Sequence, residues 1–247
     1  MRKGITLVLA VSLAAGLLMG CGNSQTSSTE SVVQNSEKTS EGAGQPSTPP
    51  ETEKSGGDLK IAINTECIHT MLSFDLTGAG ADYYYSWPVY ESLFKPNEEG
   101  TVDPWLLEDY SYDPDALTYT FHVRKGVTFA DGTVLDAEAV KWNLDHYLEV
   151  GAKVEALLSS IDSVEVIDEY TVQLNLNKWS SILPYAFSRE CGYMFSPTFF
   201  KEHGEEYCKE HPCGTGPFDL AEWNYDVSKK FVKRDDYWGG DVKLDSV

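Results

Sequence analysis

The chain has 247 residues, with 39 acidic against 19 basic side chains and a formal charge of −20. That balance excludes a nucleic-acid surface, because a polyanion needs clustered lysine and arginine, and no basic patch with interleaved aromatics occurs. With 41% hydrophobic residues the chain can still bury a sizeable core, and the charge is enough to keep an exported domain soluble without implying a cation site.

The first segment is a leader. Met1-Arg2-Lys3 is basic, Ile5 to Leu18 is an apolar run too short for a comfortable membrane span, and Leu18-Met19-Gly20-Cys21 forms a lipobox-like cleavage site. A lipoprotein signal peptide over residues 1–20 and a thioether-linked diacylglycerol on Cys21 are expected; two or three acyl chains anchor stably where a single chain binds only marginally. Residues 21–57 read as a lipid-anchored, disordered linker. They are rich in Ser, Thr, Gly, Gln, Glu and Pro, and cannot offset the entropy of ordering. A coil of this length spans on the order of 30 Å, which lifts a folded domain clear of the lipid. Gly22 and the tether length point to a Gram-positive cell surface, with the protein held on the outer face of the cytoplasmic membrane.

A globular unit starts at Asp58. Leu59 to Ile63 reads as a short apolar strand, and Asp82 to Phe94 as a helix that Pro88 kinks or opens. Tyr119, Phe121 and Val123 alternate with Thr120, His122 and Arg124, the period of a half-buried strand. Asp131-Gly132 is a tight-turn dipeptide. From Asp136 the period lengthens: Asp136 can cap a helix, Glu138 suits its first turn, and Ala137, Val140, Leu144 and Tyr147 recur at helical spacing. A hairpin follows over Ser163 to Asp168 and Thr171 to Leu176, turning at Asp168-Glu169. Ser181 to Ser188 predicts a short helix, Gly192 to Ser196 a buried strand, and Pro197 to His203 the start of a helix.

The stretch Tyr119 to Asn143, YTFHVRKGVTFADGTVLDAEAVKWN, and the later GTGPF at Gly214 to Phe218 resemble signature segments of the extracellular solute-binding proteins of family 5, the peptide- and nickel-binding receptors of ABC importers. Tyr90 to Phe94 (YESLF), Gly100 to Tyr110 (GTVDPWLLEDY), Ile161 to Leu176 (IDSVEVIDEYTVQLNL) and Asp235 to Leu244 (DDYWGGDVKL) are similar to further blocks, in the family's order. Several ordered blocks are far more specific than one short motif.

The resemblance implies an α/β (mixed α+β), class II periplasmic-binding-protein-like fold. Residues 58–247 would be its first lobe, with 58–85 and 190–247 forming a mixed-sheet subdomain and 86–189 the family's inserted subdomain. Family members continue well past the position of Val247 to build a second lobe, so the chain reads as a fragment that lacks it. The implied mechanism is capture without chemistry: two lobes close over a peptide or other small solute, then present it to ABC permease subunits. A monomer without cofactors is expected, and tight capture by one lobe alone is not.

Ligand-binding candidates in this lobe are Asn64, Thr65, Glu66, Cys67 and Ile68 in the loop after the first strand, and Arg189 and Tyr193 at the Gly192 segment. Loops at strand carboxyl ends expose backbone groups to ligands. Arg189 can grip a carboxylate bidentately or serve a salt bridge. Glu66 suits a ligand amine or simple solvation. Tyr83, Tyr84, Tyr85 and Trp87 could stack on a ligand, although helical spacing favours core packing. Gly214, Gly216 and Pro217 read as backbone geometry, with glycine permitting positive φ.

Besides Cys21, the chain carries Cys67, Cys191, Cys208 and Cys213. Four cysteines allow three connectivities, which sequence does not separate; Cys208 with Cys213 and Cys67 with Cys191 is the favoured pairing in an oxidising compartment. A metal reading of His203, Cys208, His211 and Cys213 is disfavoured, because so tight a run has trouble converging on one ion. No GxSxG, HExxH, phosphate loop or Rossmann pattern occurs, and Cys191 with His203 lacks an orienting third group. No catalytic residue is therefore assigned. Two alternatives remain: a binding protein of the same family for nickel, chelated metal or oligosaccharide, and a truncated surface interaction module without a transport role.

Overall fold

A computed structural model describes residues 55–63, 69–76, 80–150 and 155–247. The leader, Cys21, the tether to residue 54, and Asn64, Thr65, Glu66, Cys67 and Ile68 lie outside the described residues. In chain order the elements are a 3-10 turn at Ser73–Asp75, α1 (Gly80–Ser86), β1 (Phe94–Pro96), β2 (Val102–Pro104), β3 (Leu107–Asp113) and β4 (Thr118–Val123). Then come α2 (Ala137–Val150), α3 (Glu155–Leu158), β5 (Ile161–Asp168), β6 (Thr171–Leu176), α4 (Leu183–Ala186) and a 3-10 turn at Glu190–Gly192. The described residues end with α5 (Pro197–His203), α6 (Glu205–Cys208), β7 (Phe218–Asn224) and β8 (Ser228–Lys233).

Strict alternation builds the largest sheet. In β4, Tyr119, Phe121 and Val123 are buried while Thr118, Thr120 and His122 face the partly solvated side. β6 repeats the pattern with Val172, Leu174 and Leu176 inward, so both strands present one apolar face. They pair at the centre of an antiparallel sheet of order β3-β4-β6-β5, with Phe121 opposite Val172. Helix α2 packs on β5 and β6. Its start is fixed by Asp136, whose Oδ1 accepts the Ala139 N–H at 2.8 Å, one of the amides a helix cannot satisfy internally. Ala137, Val140, Leu144 and Tyr147 form the buried stripe. At the preceding corner, Gly132 takes φ +79° and the Phe129 N–H donates to Thr133 O at 2.9 Å.

A second sheet joins distant parts of the chain. β7 and β8 form a hairpin, and Phe231 exchanges both backbone hydrogen bonds with Val247, at 2.8 and 2.9 Å. Ser246 in turn bridges Asp58 in parallel, and the Leu59 N–H donates to Ser246 O at 2.9 Å. Parallel and antiparallel pairing thus meet across residues 245–247. The expected strand at Leu59 to Ile63 does not form: only the flanking Asp58 bridges Ser246, and the Leu59 N–H adds one hydrogen bond.

Two further expectations change. The helix read over Asp82 to Phe94 stops at Ser86: Pro88 has no N–H to continue it, and residues beyond it are drawn into extended pairing, with Leu93 N–H on Gly192 O (3.1 Å) and Met194 N–H on Glu91 O (3.3 Å). Tyr83 and Tyr84 consequently stay about half exposed, at 50% and 49%, rather than packing in the core. The strand read over Gly192 to Ser196 is buried as expected but pairs through only one backbone bridge, Tyr193 to Ser92. A side chain replaces its ladder: Asn143 on α2 accepts the Phe195 N–H at 2.9 Å and donates to Phe195 O at 2.9 Å.

The GTGP turn is held by contact distance. Gly214 and Gly216 do not take positive φ, which corrects the sequence reading. A Cβ at Gly216 would lie 2.6 Å from Val89 C and O, and one at Gly214 would lie 2.2 Å from Val89 O. The backbones are that close because Gly216 N–H donates to Val89 O at 2.8 Å and Phe218 N–H to Pro88 O at 3.0 Å. Gly216→Ala is expected to cost roughly 3 kcal/mol, read as a lower midpoint of chemical unfolding; an unchanged midpoint would mean that the two segments part freely.

Cys191, Cys208 and Cys213 are buried free thiols. This corrects the expected Cys208–Cys213 bond; Cys67, the expected partner of Cys191, lies outside the described residues, and among those residues Cys191 has no disulfide. The thiols sit inside the core, where burial pushes them up to about 12, 11 and 12 respectively, so they remain protonated and inert. In the native protein at about pH 8 iodoacetamide should leave all three unmodified, and denaturant without reductant should expose all three; labelling that still needs reductant would restore the disulfides. The two histidines of the tight His/Cys run face elsewhere: His203 and His211 stack on Tyr207, at 4.8 and 3.8 Å between centroids. Among the described residues no three His, Cys, Asp or Glu side chains are placed to hold a metal ion.

Candidate functional site

The signature segments meet at one carboxylate. Glu91 lies in the apolar run Pro88 to Phe94 and is only 8% exposed. Its Oε1 accepts from Trp105 Nε1 at 3.0 Å and from the Tyr237 hydroxyl at 2.6 Å. Its Oε2 accepts from Trp238 Nε1 at 2.7 Å and from Thr215 Oγ1 at 3.0 Å. Each oxygen thus receives one indole and one hydroxyl. Burial still lifts the Glu91 carboxyl above its ordinary value, against the pull of the four donors.

A buried cation stands nearby on the same framework. Arg234 is 5% exposed and donates to Gly216 O at 3.2 Å, Phe129 O at 3.0 Å and Asp236 Oδ1 at 3.2 Å. It ties the end of β8 to the GTGP turn and to the Asp131-Gly132 corner. Arg124 closes the other side, with Nε on Trp105 O at 2.7 Å and its guanidinium 5.8 Å from the Trp238 ring centroid. These ties join the signature segments into one floor.

Beside this framework, the Leu183–Ala186 helix and the Glu190–Gly192 turn set the two sequence-predicted residues that the structure describes. Arg189 is exposed. Its Nη2 donates to the Tyr185 hydroxyl at 3.2 Å and its guanidinium lies 5.7 Å from that ring centroid, while no carboxylate among the described residues forms an ion pair with it. Tyr193 is 4% exposed, stacks on Tyr90 at 5.8 Å, and shares a hydrogen bond with Ser86 Oγ at 3.4 Å. Tyr193 is therefore a core residue of the floor, and a direct ligand contact for it is corrected. Its side chain points inward because the Ser92 bridge sets the alternation of this segment. Sequence reasoning passed over Glu91, Asn143 and Arg234. A carboxylate inside an apolar run and an asparagine on the buried stripe of α2 were the available signals; Arg234, within KRDD, gave none.

The model of bacterial extracellular solute-binding proteins, family 5 (Middle), matches residues 101–247, and the chain belongs to this family. It is 35% identical over 161 residues to the glutathione-binding protein GsiB of Shigella flexneri, covering 64% of this chain and 31% of that protein. Among solved structures, it is similar to the periplasmic binding protein DppA of Helicobacter pylori in complex with the peptide STSA. That match has a TM-score of 0.69 at 27% identity, over 79% of this chain and 43% of DppA. NikA of Brucella suis in complex with Fe(III)-EDTA matches with a TM-score of 0.61 at 29% identity, over 78% and 38%. The chain spans about a third of the length of the curated relatives it matches. Family 5 proteins are extracytoplasmic components of ABC importers that bind small solutes.

Proposed function

We propose that this chain is the first lobe, with its inserted subdomain, of a receptor that captures di- or oligopeptides outside the cytoplasmic membrane and hands them to an ABC permease. The observation that carries the reading is the exposed Arg189 guanidinium, free of any carboxylate among the described residues, set on a floor where the signature residues converge. A guanidinium fork matches a peptide carboxylate bidentately, and the loop 64–68 would add backbone contacts along the ligand. A second lobe would close over the solute, driven by its higher affinity for the closed form. Cys21, acylated, would hold the receptor on the outer face of the membrane of a Gram-positive cell, and the receptor would act as a monomer.

The glutathione- and peptide-binding relatives support a peptide ligand. The NikA complex with a carboxylate-rich chelate favours a second reading, chelated metal, because Arg189 suits that chelator's carboxylates equally. Thermal unfolding of the complete two-lobed receptor in the presence of dipeptides, oligopeptides, nickel chelates and oligosaccharides separates them. A rise in Tm with peptides alone is expected. A rise with chelate alone would replace the ligand class, and no rise with any solute would overturn the reading.

A further inference from the structure

Between Leu183 and Ser196 every residue is buried except two, Tyr185 and Arg189. They stand four residues apart across a helical turn, so their side chains leave the same face. The main chain between them is pinned. Ser188 donates twice to Tyr185 O, from its N–H at 3.1 Å and its Oγ at 2.8 Å, and the Arg189 N–H donates to Ala186 O at 3.2 Å. The two side chains meet at the surface, with Arg189 Nη2 donating to the Tyr185 hydroxyl oxygen at 3.2 Å and the guanidinium 5.7 Å from the ring centroid. Tyr185 is 47% exposed and Arg189 is exposed, so a solute can reach the point where they touch.

That contact leaves only donors to be met. The Tyr185 oxygen accepts one of the two Nη2 hydrogens, and the other Nη2 hydrogen keeps a neighbouring N–H beside it as an intact two-pronged edge. The Tyr185 O–H has no acceptor among the described residues, and no carboxylate there forms an ion pair with Arg189. A carboxylate, with two oxygens and about four lone-pair sites, can answer the edge and the hydroxyl together; a carboxamide has one acceptor oxygen and an NH2 group that meets donors head-on. Hydrogen bonds to an ionised oxygen are also shorter and stronger than neutral ones. We propose that Tyr185 is a second binding residue for the ligand carboxylate, its O–H donating to the group that Arg189 grips, so that the pair selects an ionised C-terminus over a blocked one. This rests on reading Arg189 as the carboxylate anchor of a solute-binding lobe. When the ligand arrives the hydroxyl surrenders no bond as a donor, and the one it accepts from Arg189 stays in place.

The test is an NMR titration of the 247-residue chain with tri-L-alanine and with its C-terminal amide, each to millimolar excess, following the Arg189 Nε–H and Tyr185 Cζ resonances. Tri-L-alanine is expected to move both resonances together, with the amide at least about tenfold weaker. Tyr185→Phe keeps the ring beside the guanidinium and removes only the hydroxyl; it should weaken tri-L-alanine about tenfold and leave the amide's affinity as it was. Arg189→Met should abolish the preference for the free carboxylate. A Tyr185 Cζ resonance that stays still while Arg189 Nε–H moves, or an affinity unchanged in Tyr185→Phe, overturns the hydroxyl contact and leaves Arg189 as the anchor. Equal weakening of both peptides in Tyr185→Phe overturns it as well, because the loss would then be unrelated to the carboxylate. If neither peptide moves these resonances, the contact is overturned, and thermal unfolding of the complete receptor with the broader solute set decides the solute-binding reading separately.

Discussion

Glu91→Gln will cost about 3 kcal/mol of stability, although the two side chains share one shape. Each Glu91 oxygen accepts one indole N–H and one hydroxyl. Glutamine replaces one oxygen with an NH2 group, which then faces two donors. A hydroxyl can turn and accept, but an indole N–H has no such option. Whichever way the amide settles, either Trp105 or Trp238 loses its acceptor inside the protein. For a chain of this size the loss is on the order of 10 °C in Tm. Tyr237→Phe, which deletes a donor and leaves the carboxylate intact, should cost only about 1 kcal/mol. Equal losses in the two variants would mean that packing, and not acceptor geometry, sets the effect.

The pH dependence of the Glu91→Gln gap follows from the direction of the carboxyl shift. A folded value raised above the ordinary 4.5 means that the native state holds the proton more firmly than the unfolded chain does. The corresponding stability is fully present below the unfolded value and is lost as pH rises through the folded one. Glutamine does not titrate. The wild-type advantage should therefore be widest in acid and narrow toward neutral pH, and a gap that widens with rising pH would reverse the sign assigned to burial.

Asn143→Leu is expected to cost a further class of contact, again about 3 kcal/mol. The Asn143 amide is fully buried and supplies both an acceptor and a donor to Phe195, with Nδ2 also on Ala139 O at 2.9 Å. Leucine fits the volume and leaves the Phe195 N–H and carbonyl in the core without partners. Because Phe195 packs near Tyr90 and Phe74, at 6.1 and 6.2 Å between centroids, the loss should spread to the floor under Arg189. Chemical unfolding checks the magnitude; a change under about 1 kcal/mol would show that water replaces the amide.

The contrast between Asn143 and its helix shows what was legible in the chain. Val140, Leu144 and Tyr147 announced α2 because local periodicity and burial agree there, as they do along β4, β5 and β6. The segments Tyr90 to Phe94 and Gly192 to Ser196 were misread because their partners are remote: each is extended largely by the other, and one is completed by a side chain from α2. Leu59 to Ile63 had the composition of a strand but forms no ladder among the described residues. At the site, Arg189 stood out as the one cation between Lys178 and Lys201, whereas Tyr193 could be placed only once the Ser92 bridge fixed its direction. Gly214 and Gly216 were rightly read as backbone geometry, but for the wrong cause. Positive φ can be guessed locally; the approach of Val89 cannot.

Saturation-transfer NMR on the purified chain with a mixture of di- and oligopeptides tests the central claim most directly, since it detects weak capture by a single lobe. Transfer to peptides with a free carboxylate, lost on Arg189→Met, is the expected result. No transfer to any peptide, from a chain whose amide spectrum shows it folded, would contradict the assignment of this lobe to peptide capture.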